Sequence, residues 1–243
     1  MADDDLPGGA IARRTLHFIF IADCSGSMME AGKIQSLNHA IREAIPHMRK
    51  VASGNPNAEV LVRSIKFSDG ALWHQPDPTD VQAYEWTDLR ADGGTDMGGA
   101  LSLAAKAMRA LPHGDQARMF PPLLVLISDG APNSEGEFDA GLKELLADPW
   151  GARAIRVSIA IGRDATQGRA AEILGRFIGN IELKLLEANN AQDLVNYIKF
   201  VSTAVQQGAS RPASRPKGDE ADPNIVVTPP PPAPTPPGAN APW

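Results

Sequence analysis

The chain has 243 residues, a formal net charge of −6 and 43% hydrophobic residues, so it can bury a sizeable core. Its acidic balance, with no stripe of basic residues, argues against broad nucleic-acid binding. The single cysteine, Cys24, excludes an intramolecular disulfide, and the acidic first residues do not resemble a secretion signal. No apolar run is long enough to span a membrane. We therefore expect a cytoplasmic protein with one α/β domain and an appendage.

An apolar run over residues 16–22 ends abruptly in Asp23, Ser25 and Ser27. The run predicts a strand over residues 15–22 that is buried on both faces, as in a parallel sheet covered by helices. Because small residues follow and a helical pattern starts soon after, we expect the three polar side chains on the loop at the carboxyl end of the strand. One carboxylate and two hydroxyls offer only oxygen atoms, which suit a hard cation such as Mg²⁺ rather than zinc.

Strands and helices alternate along the rest of the chain, which predicts a doubly wound α/β fold: a mainly parallel sheet with helices on both faces. One short antiparallel edge strand is expected over residues 71–74, and two prolines predict a loop over 75–79. Pro46 should kink or end its helix, because proline lacks an N–H. The other expected strands cover 58–67, 122–128, 154–161 and 181–186, and the expected helices cover 33–52, 138–147, 166–178, 191–207 and a segment after Asp96.

Two later stretches place further oxygen atoms on predicted loops. Two glycines precede Thr95 and a helix, and Asp129 directly follows the strand over residues 122–128. Each stretch also has an ordinary explanation, since Thr and Asp cap helices and Asp is common in turns. Two strands that both end in an acid are less common, and they favour a shared site for Asp23 and Asp129.

The two ends of the chain are predicted to lie outside the packed domain, which would cover residues 15–207. Residues 1–14 are acidic and glycine-rich, and we expect a flexible leader without chemistry. Residues 208–243 become dominated by proline, which predicts an extended or disordered tail. The tail would be a spacer, or else a proline-rich ligand for a groove-type binding domain.

The three polar stretches, taken in order, resemble the metal-ion-dependent adhesion site of von Willebrand factor A (VWA) domains. The resemblance covers roughly residues 16–207 and rests on D-x-S-x-S at 23–27, G-G-T at 93–95 and S-D-G at 128–130. Within that family the chain is most similar to the bacterial tellurium-resistance type (TerY-like), on the stretches IADCSGSM, FSD, GGTDMGGAL and LVLISDG. Cys24 stands where Thr is expected, at a position that is not a metal ligand in the family.

The resemblance implies that one divalent cation, Mg²⁺ or alternatively Mn²⁺ or Ca²⁺, binds at Asp23, Ser25, Ser27, Thr95 and Asp129. Both serines would coordinate the cation directly, Thr95 directly in one conformation and through water in another, and both aspartates mostly through water. In the family, an Asp or Glu of a partner protein completes the coordination. The tellurium-resistance type further implies a bacterial stress-response system in the cytoplasm, with a protein kinase or phosphatase as the partner and neither nucleic acid nor membrane involved.

The residues favour a protein-binding module over an enzyme. The alternative is a magnesium-dependent phosphohydrolase with Asp23 as nucleophile, but Ser25 occupies the nearest position for the second acid that such an enzyme needs. No obvious lysine lies near Thr95 in the sequence to neutralise a phosphate. A serine hydrolase is disfavoured because Ser25 lacks the G-x-S-x-G frame and the five histidines belong to no motif. A third interpretation keeps the VWA fold with an empty metal site, and the complete set of five residues argues against it.

Overall fold

Six strands form one sheet in the computed structural model, which describes residues 13–55, 58–113, 118–179 and 183–209. The strands are β1 (Arg14–Asp23), β2 (Ala58–Phe67), β3 (Ala71–Asp80), β4 (Leu123–Ser128), β5 (Ile155–Ile161) and β6 (Leu186–Ala188). They lie side by side in the order β3-β2-β1-β4-β5-β6. Every neighbouring pair is parallel except β2 and β3, which are antiparallel.

Helices cover both faces of this sheet. They are α1 (Lys33–Ser53), α2 (Met97–Arg109), α3 (Glu135–Leu146), α4 (Pro149–Arg153), α5 (Gly168–Ile178) and α6 (Ala191–Ala209), with 3-10 segments at Gly26–Gly32 and Asp164–Thr166. One apolar cluster joins the sheet to α1 and α6, and a second joins the opposite face to the helices α2 to α5. The fold class predicted from the sequence, a doubly wound α/β fold with one antiparallel edge strand, is confirmed.

Strand β1 lies between β2 and β4 and is buried on both faces. Phe18 and Phe20 pack with α1 and α6, whereas Ile19 and Ile21 pack with the helices of the opposite face. A strand that is covered on both faces has no solvent side for polar residues, which explains the unbroken apolar run. The strand ends at Asp23, so this carboxylate is buried at the end of a core strand.

The edge strand is longer than the sequence predicts. Strand β3 continues to Asp80, whereas we expected a strand over 71–74 and a loop over 75–79. Gln75 pairs with Ser64 and Thr79 pairs with Val62, so β3 carries two extra residues at an irregularity in the ladder. Proline is tolerated at such bulges and on edge strands, where its missing N–H costs no ladder hydrogen bond, so both prolines fit within the strand.

Other elements agree with the sequence prediction to different degrees. Helix α1 has the extent expected from the sequence to within one residue and does not end at Pro46, since Ile45 and Met48 on either side of the proline both remain buried in it. The last strand pairs with β5 through Leu186–Ala188, later than the expected 181–186. The short helix α4 has no apolar periodicity of its own, and the sequence analysis missed it.

The leader and the tail lie largely outside the described residues. Residues 1–12 and 210–243 are not described, so the predictions of a flexible leader and a disordered tail stay predictions. Strand β1 starts at Arg14 and helix α6 runs to Ala209, each slightly beyond the predicted domain limits of 15–207. None of the helices in the described part of the chain is long and apolar enough to cross a membrane.

The contact between α2 and α3 depends on two glycines. A Cβ atom on Gly141 would overlap the carbonyl oxygen of Gly98, and one on Gly98 would overlap the carbonyl oxygen of Glu137. Neither position can accept a side chain unless a backbone moves, because packed interiors leave no spare room. This contact fixes the amino end of α2, which begins two residues after Thr95.

We expect Gly141→Ala to lower the free energy of unfolding by about 1–3 kcal/mol, the usual cost of overpacking. Gly136→Ala is the matched control on the same helix, because a Cβ atom there would meet nothing within 4 Å. The control should leave the stability unchanged or raise it by up to about 1 kcal/mol, since alanine restricts the unfolded chain. Urea denaturation followed by circular dichroism measures both, and equal stabilities for the two variants would contradict the packing argument.

Candidate metal centre

Four of the five predicted metal ligands lie at the carboxyl ends of β1 and β4, which are neighbours in the sheet, and the fifth, Thr95, lies on the loop before α2. Strands β2 and β4 lie on opposite sides of β1 in the sheet. The chain passes from β1 to β2 through α1, and it reaches β4 later, through α2. Open α/β sheets bind ligands in the crevice that such a reversal of strand order creates. Three loops meet there, and we call them the first loop (residues 24–32), the second loop (residues 89–96) and the third loop (residues 129–134).

A chain of hydrogen bonds joins the first loop to the third. The Oγ atoms of Ser25 and Ser27 lie 3.1 Å apart, and Ser27 donates to Oδ1 of Asp129 at 2.7 Å. Either serine hydroxyl can be the donor in the contact between Ser25 and Ser27. The Asp129 carboxylate is almost fully buried, with 2% of the residue exposed. Three residues that the sequence analysis selected from two separate stretches therefore contact one another directly.

Both carboxylate oxygens of Asp23 already have protein donors. The hydroxyl of Ser128 donates to Oδ2 at 2.5 Å, and the backbone N–H of Ser25 donates to Oδ1 at 2.8 Å. Asp23 is fully buried. Burial, with a smaller repulsion from Asp129, raises the pKa of the Asp23 carboxyl to about 6, against the lowering effect of these hydrogen bonds. Asp23 thus holds the first loop in place and adds charge beneath the hydroxyls.

Lys33 is a member of the site that the sequence analysis missed. Its Nζ donates to Oδ2 of Asp129 at 2.8 Å, and both side chains are buried. The sequence marked Lys33 only as the start of a helix, because a lysine at the amino end of a helix is usually exposed. The sequence nevertheless contained an indication. A positive charge in the first turn of a helix is disfavoured by the helix dipole, so a lysine there suggests a separate interaction.

The second loop is tied to the other two through its backbone. The N–H of Gly26 donates to the carbonyl of Gly93 at 2.8 Å, and the N–H of Asn133 donates to the carbonyl of Thr95 at 3.1 Å. Asp69, at the turn between β2 and β3, accepts a hydrogen bond from the N–H of Gly94 at 2.6 Å. A side chain on either glycine of this pair would collide with its neighbours, which explains the G-G-T pattern.

Thr95 lies in this second loop, half-buried at the same edge of the sheet. The sequence left open that residues 93–96 serve only to cap a helix. The cap of α2 is Asp96, whose carboxylate accepts a hydrogen bond from the N–H of Gly99 at 2.8 Å. Thr95 therefore precedes the cap rather than forming it. Its backbone carbonyl anchors the second loop to the third.

The donor chemistry of these residues fits a small hard cation. The predicted set contains two carboxylates and three hydroxyls, with no nitrogen or sulfur ligand. The 3.1 Å between the two serine Oγ atoms is close to the ligand–ligand edge of an octahedron, about 3.0 Å for metal–oxygen bonds of about 2.1 Å. Within residues 13–209, wherever the chain is described, no three His, Cys, Asp or Glu side chains cluster as a metal site would require. A cation here would therefore need the hydroxyl oxygens.

Comparison with known proteins finds no matching family model and no matching curated protein. Solved structures do match this chain. A von Willebrand factor type A structure from Catenulispora acidiphila superposes with a TM-score of 0.60 at 16% identity, over 80% of this chain and 43% of that chain. The ArnB paralog VWA2 from Sulfolobus acidocaldarius gives a TM-score of 0.53 at 13% identity, over 78% of this chain and 45% of that one. This chain has the VWA fold.

A third match is a pilus adhesin. The pilus adhesin SpaC from Lactobacillus rhamnosus GG superposes with a TM-score of 0.60 at 12% identity, over 79% of this chain and 31% of the adhesin. In all three cases this chain spans less than half the length of the protein that it matches. At these identities the likeness concerns the VWA fold alone, so any activity has to be argued from the residues at the three loops.

The pKa of Asp23 predicts how the stability of the metal-free VWA fold depends on pH. A carboxyl whose pKa is raised on folding stabilises the folded state while protonated, so its contribution is lost as pH rises through about 6. Asp23→Asn removes this titration. We compare the free energy of unfolding of the variant with that of wild type in EDTA. The difference, variant minus wild type, should increase by about 2 kcal/mol when the pH is raised from about 4.5 to about 7.5.

Urea denaturation at each pH measures the difference between the two proteins. Wild type alone would not isolate the contribution of Asp23, because a second group titrates over the same range. Burial lowers the pKa of His17 to about 4, which costs stability as the pH falls. His17 is present in both proteins, so its contribution cancels. A stability difference that stays constant with pH would show that Asp23 ionises normally in the folded protein.

Proposed function

We propose that this chain is a metal-ion-dependent protein-binding module. One divalent cation, Mg²⁺ with Mn²⁺ or Ca²⁺ as substitutes, would be held by the hydroxyls of Ser25, Ser27 and Thr95, with Asp23 and Asp129 behind them. The observation that carries the proposal is the hydrogen-bonded chain from Ser25 through Ser27 to Asp129, which gathers oxygen ligands from two loops at the switch point of the sheet.

The distribution of charge supports binding of an acidic partner. Hydroxyls that bind a cation directly leave much of its positive charge uncompensated, so the cation attracts a further carboxylate. Both oxygens of Asp23 accept hydrogen bonds from the protein, which makes this carboxylate an indirect contributor. An Asp or Glu side chain of a partner protein would then be the natural ligand at a remaining position, because Mg²⁺ prefers six oxygen ligands.

The same geometry supports a binding module over the phosphohydrolase alternative. A nucleophilic aspartate must present an oxygen to its substrate, but Asp23 is fully buried and both of its oxygens are engaged. A phosphate would also need a cation to neutralise it. Lys33 is the nearby candidate, and its ammonium is paired with Asp129. We therefore propose that the chain is not an enzyme.

The wider setting is proposed from the sequence resemblance. The stretches that resemble the tellurium-resistance type support a role in a bacterial stress-response system in the cytoplasm. The partner would be a protein kinase or phosphatase of that system, and it would supply the Asp or Glu to the cation. Neither nucleic acid nor a membrane is part of this proposal.

Ser25→Ala should abolish cation-dependent partner binding without unfolding the protein, because Ser25 lies on a loop and loses only its hydroxyl. The test is a pull-down from lysate of the native host with Mg²⁺ and then with EDTA, followed by mass spectrometry. Ser53→Ala is the control, since Ser53 lies at the far end of α1, where its exposed hydroxyl bonds to Arg49 of the same helix and to Gln82, away from the three loops. A partner retained equally by both variants, or equally in EDTA, would contradict the proposal.

Thr95→Ala should weaken partner binding more than cation binding. Its contact with the cation depends on the state of the second loop, whereas the two serines stay together through their hydrogen bond. We expect the affinity for Mg²⁺, measured by calorimetry, to fall by less than about tenfold. Binding of the partner that the pull-down identifies should fall further than that. Equal losses in both measurements would contradict this role for Thr95.

A further inference from the structure

Lys33 brings a positive charge of the protein's own to the candidate metal centre. Its Nζ lies 2.8 Å from Oδ2 of Asp129, and only 8% of the lysine side chain and none of the aspartate side chain are exposed. Lysine is almost never this buried unless it is paired. Asp129 therefore already has a cation beside it when no metal is bound.

The backbone before Lys33 adopts an unfavourable conformation. Ala31 has φ 48° and Gly32 has φ 74°, and Ala31 is the only non-glycine residue with positive φ in the described part of the chain. Left-handed backbone is disfavoured for a residue with a Cβ atom. Helical side chains tilt toward the amino end of their helix, so the turn at Ala31 starts α1 with Lys33 directed toward the loops.

With this ion pair, each carboxylate oxygen of Asp129 has a hydrogen-bond donor. Oδ1 accepts from the Ser27 hydroxyl and Oδ2 accepts from the Lys33 ammonium. Asp23, Asp129 and Lys33 together carry one negative charge when all three are ionised. Without the lysine the same edge would carry two negative charges, and it would attract a divalent cation more strongly.

We propose that Lys33 is a tethered competitor of the divalent cation. It neutralises Asp129 while the metal is absent, and it lowers the affinity of the site for the metal alone. A partner carboxylate adds back the negative charge that Lys33 cancels, so the cation is held tightly only when the partner binds with it. This inference rests on the metal site proposed above.

The test measures Mg²⁺ binding to the full chain by calorimetry, in wild type and in Lys33→Met. We expect Lys33→Met to bind Mg²⁺ at least about tenfold more tightly, the scale on which residues behind metal ligands act. In EDTA the variant should melt at a lower temperature than wild type, because Asp129 keeps its charge and loses its ion-pair partner. Saturating Mg²⁺ should reverse that order of melting temperatures.

Two further variants control the experiment. Lys50→Met changes the charge of the same helix by the same amount at an exposed position, and it should leave both measurements near wild type. Lys33→Gln removes the charge but retains a hydrogen-bond donor, so it serves if Lys33→Met does not fold in EDTA. If neither neutral variant folds even in saturating Mg²⁺, Lys33 is required beside the metal and the proposal is overturned.

The outcomes separate this inference from the proposed function. Equal Mg²⁺ affinity in wild type and both neutral variants overturns the competitor role and leaves the metal site standing. If Mg²⁺ binds to the Lys33 variants but not to wild type, the competitor role is supported and metal-dependent function of the natural chain is overturned. If neither wild type nor any folded variant binds Mg²⁺ at millimolar concentration, both proposals fail.

Discussion

Two carboxylates buried at the ends of neighbouring strands are the constraint on which the rest of this structure depends. Burying a charge costs several kcal/mol unless hydrogen bonds and opposite charge compensate for it. Asp23 is compensated by Ser128 and by the backbone of the first loop, while Asp129 is compensated by Ser27 and Lys33. The first loop consequently has little freedom, because its donors are committed to these acids. These hydrogen bonds therefore bring the predicted ligands Ser25, Ser27 and Asp129 together.

The second loop is held by a different kind of interaction. Its position depends on close backbone contacts at Gly93 and Gly94, and on the glycine crossing that packs α2 against α3. Thr95 lies between these two contacts, so its placement depends on steric fit and on backbone hydrogen bonds. The first loop depends instead on hydrogen bonds to two buried carboxylates, so the two sides of the proposed site can respond differently. This difference is the physical basis for the proposal that Thr95 acts more on partner binding than on cation binding.

Much of this arrangement was predictable from the sequence because it depends on short-range patterns. Continuous apolar runs identified the buried strands, and acids at the ends of β1 and β4 identified the edge where they meet. Lys33 was not predictable in the same way, since its burial depends on the unusual backbone at Ala31 and on contact with Asp129 far along the chain. The length of β3 was missed because a bulge, which the sequence pattern does not encode, accommodates its prolines.

The prolines of β3 also limit how the sheet can grow. A free edge strand normally offers alternating N–H and C=O groups to which another chain can add as a further strand. Pro76 and Pro78 supply no N–H, while the side chains of His74 and Gln75 bond to backbone carbonyls of the segment that follows the strand. This side of the domain is therefore poorly suited to pairing with another copy. A strand added at this edge would lack the ladder hydrogen bonds that Pro76 and Pro78 cannot donate.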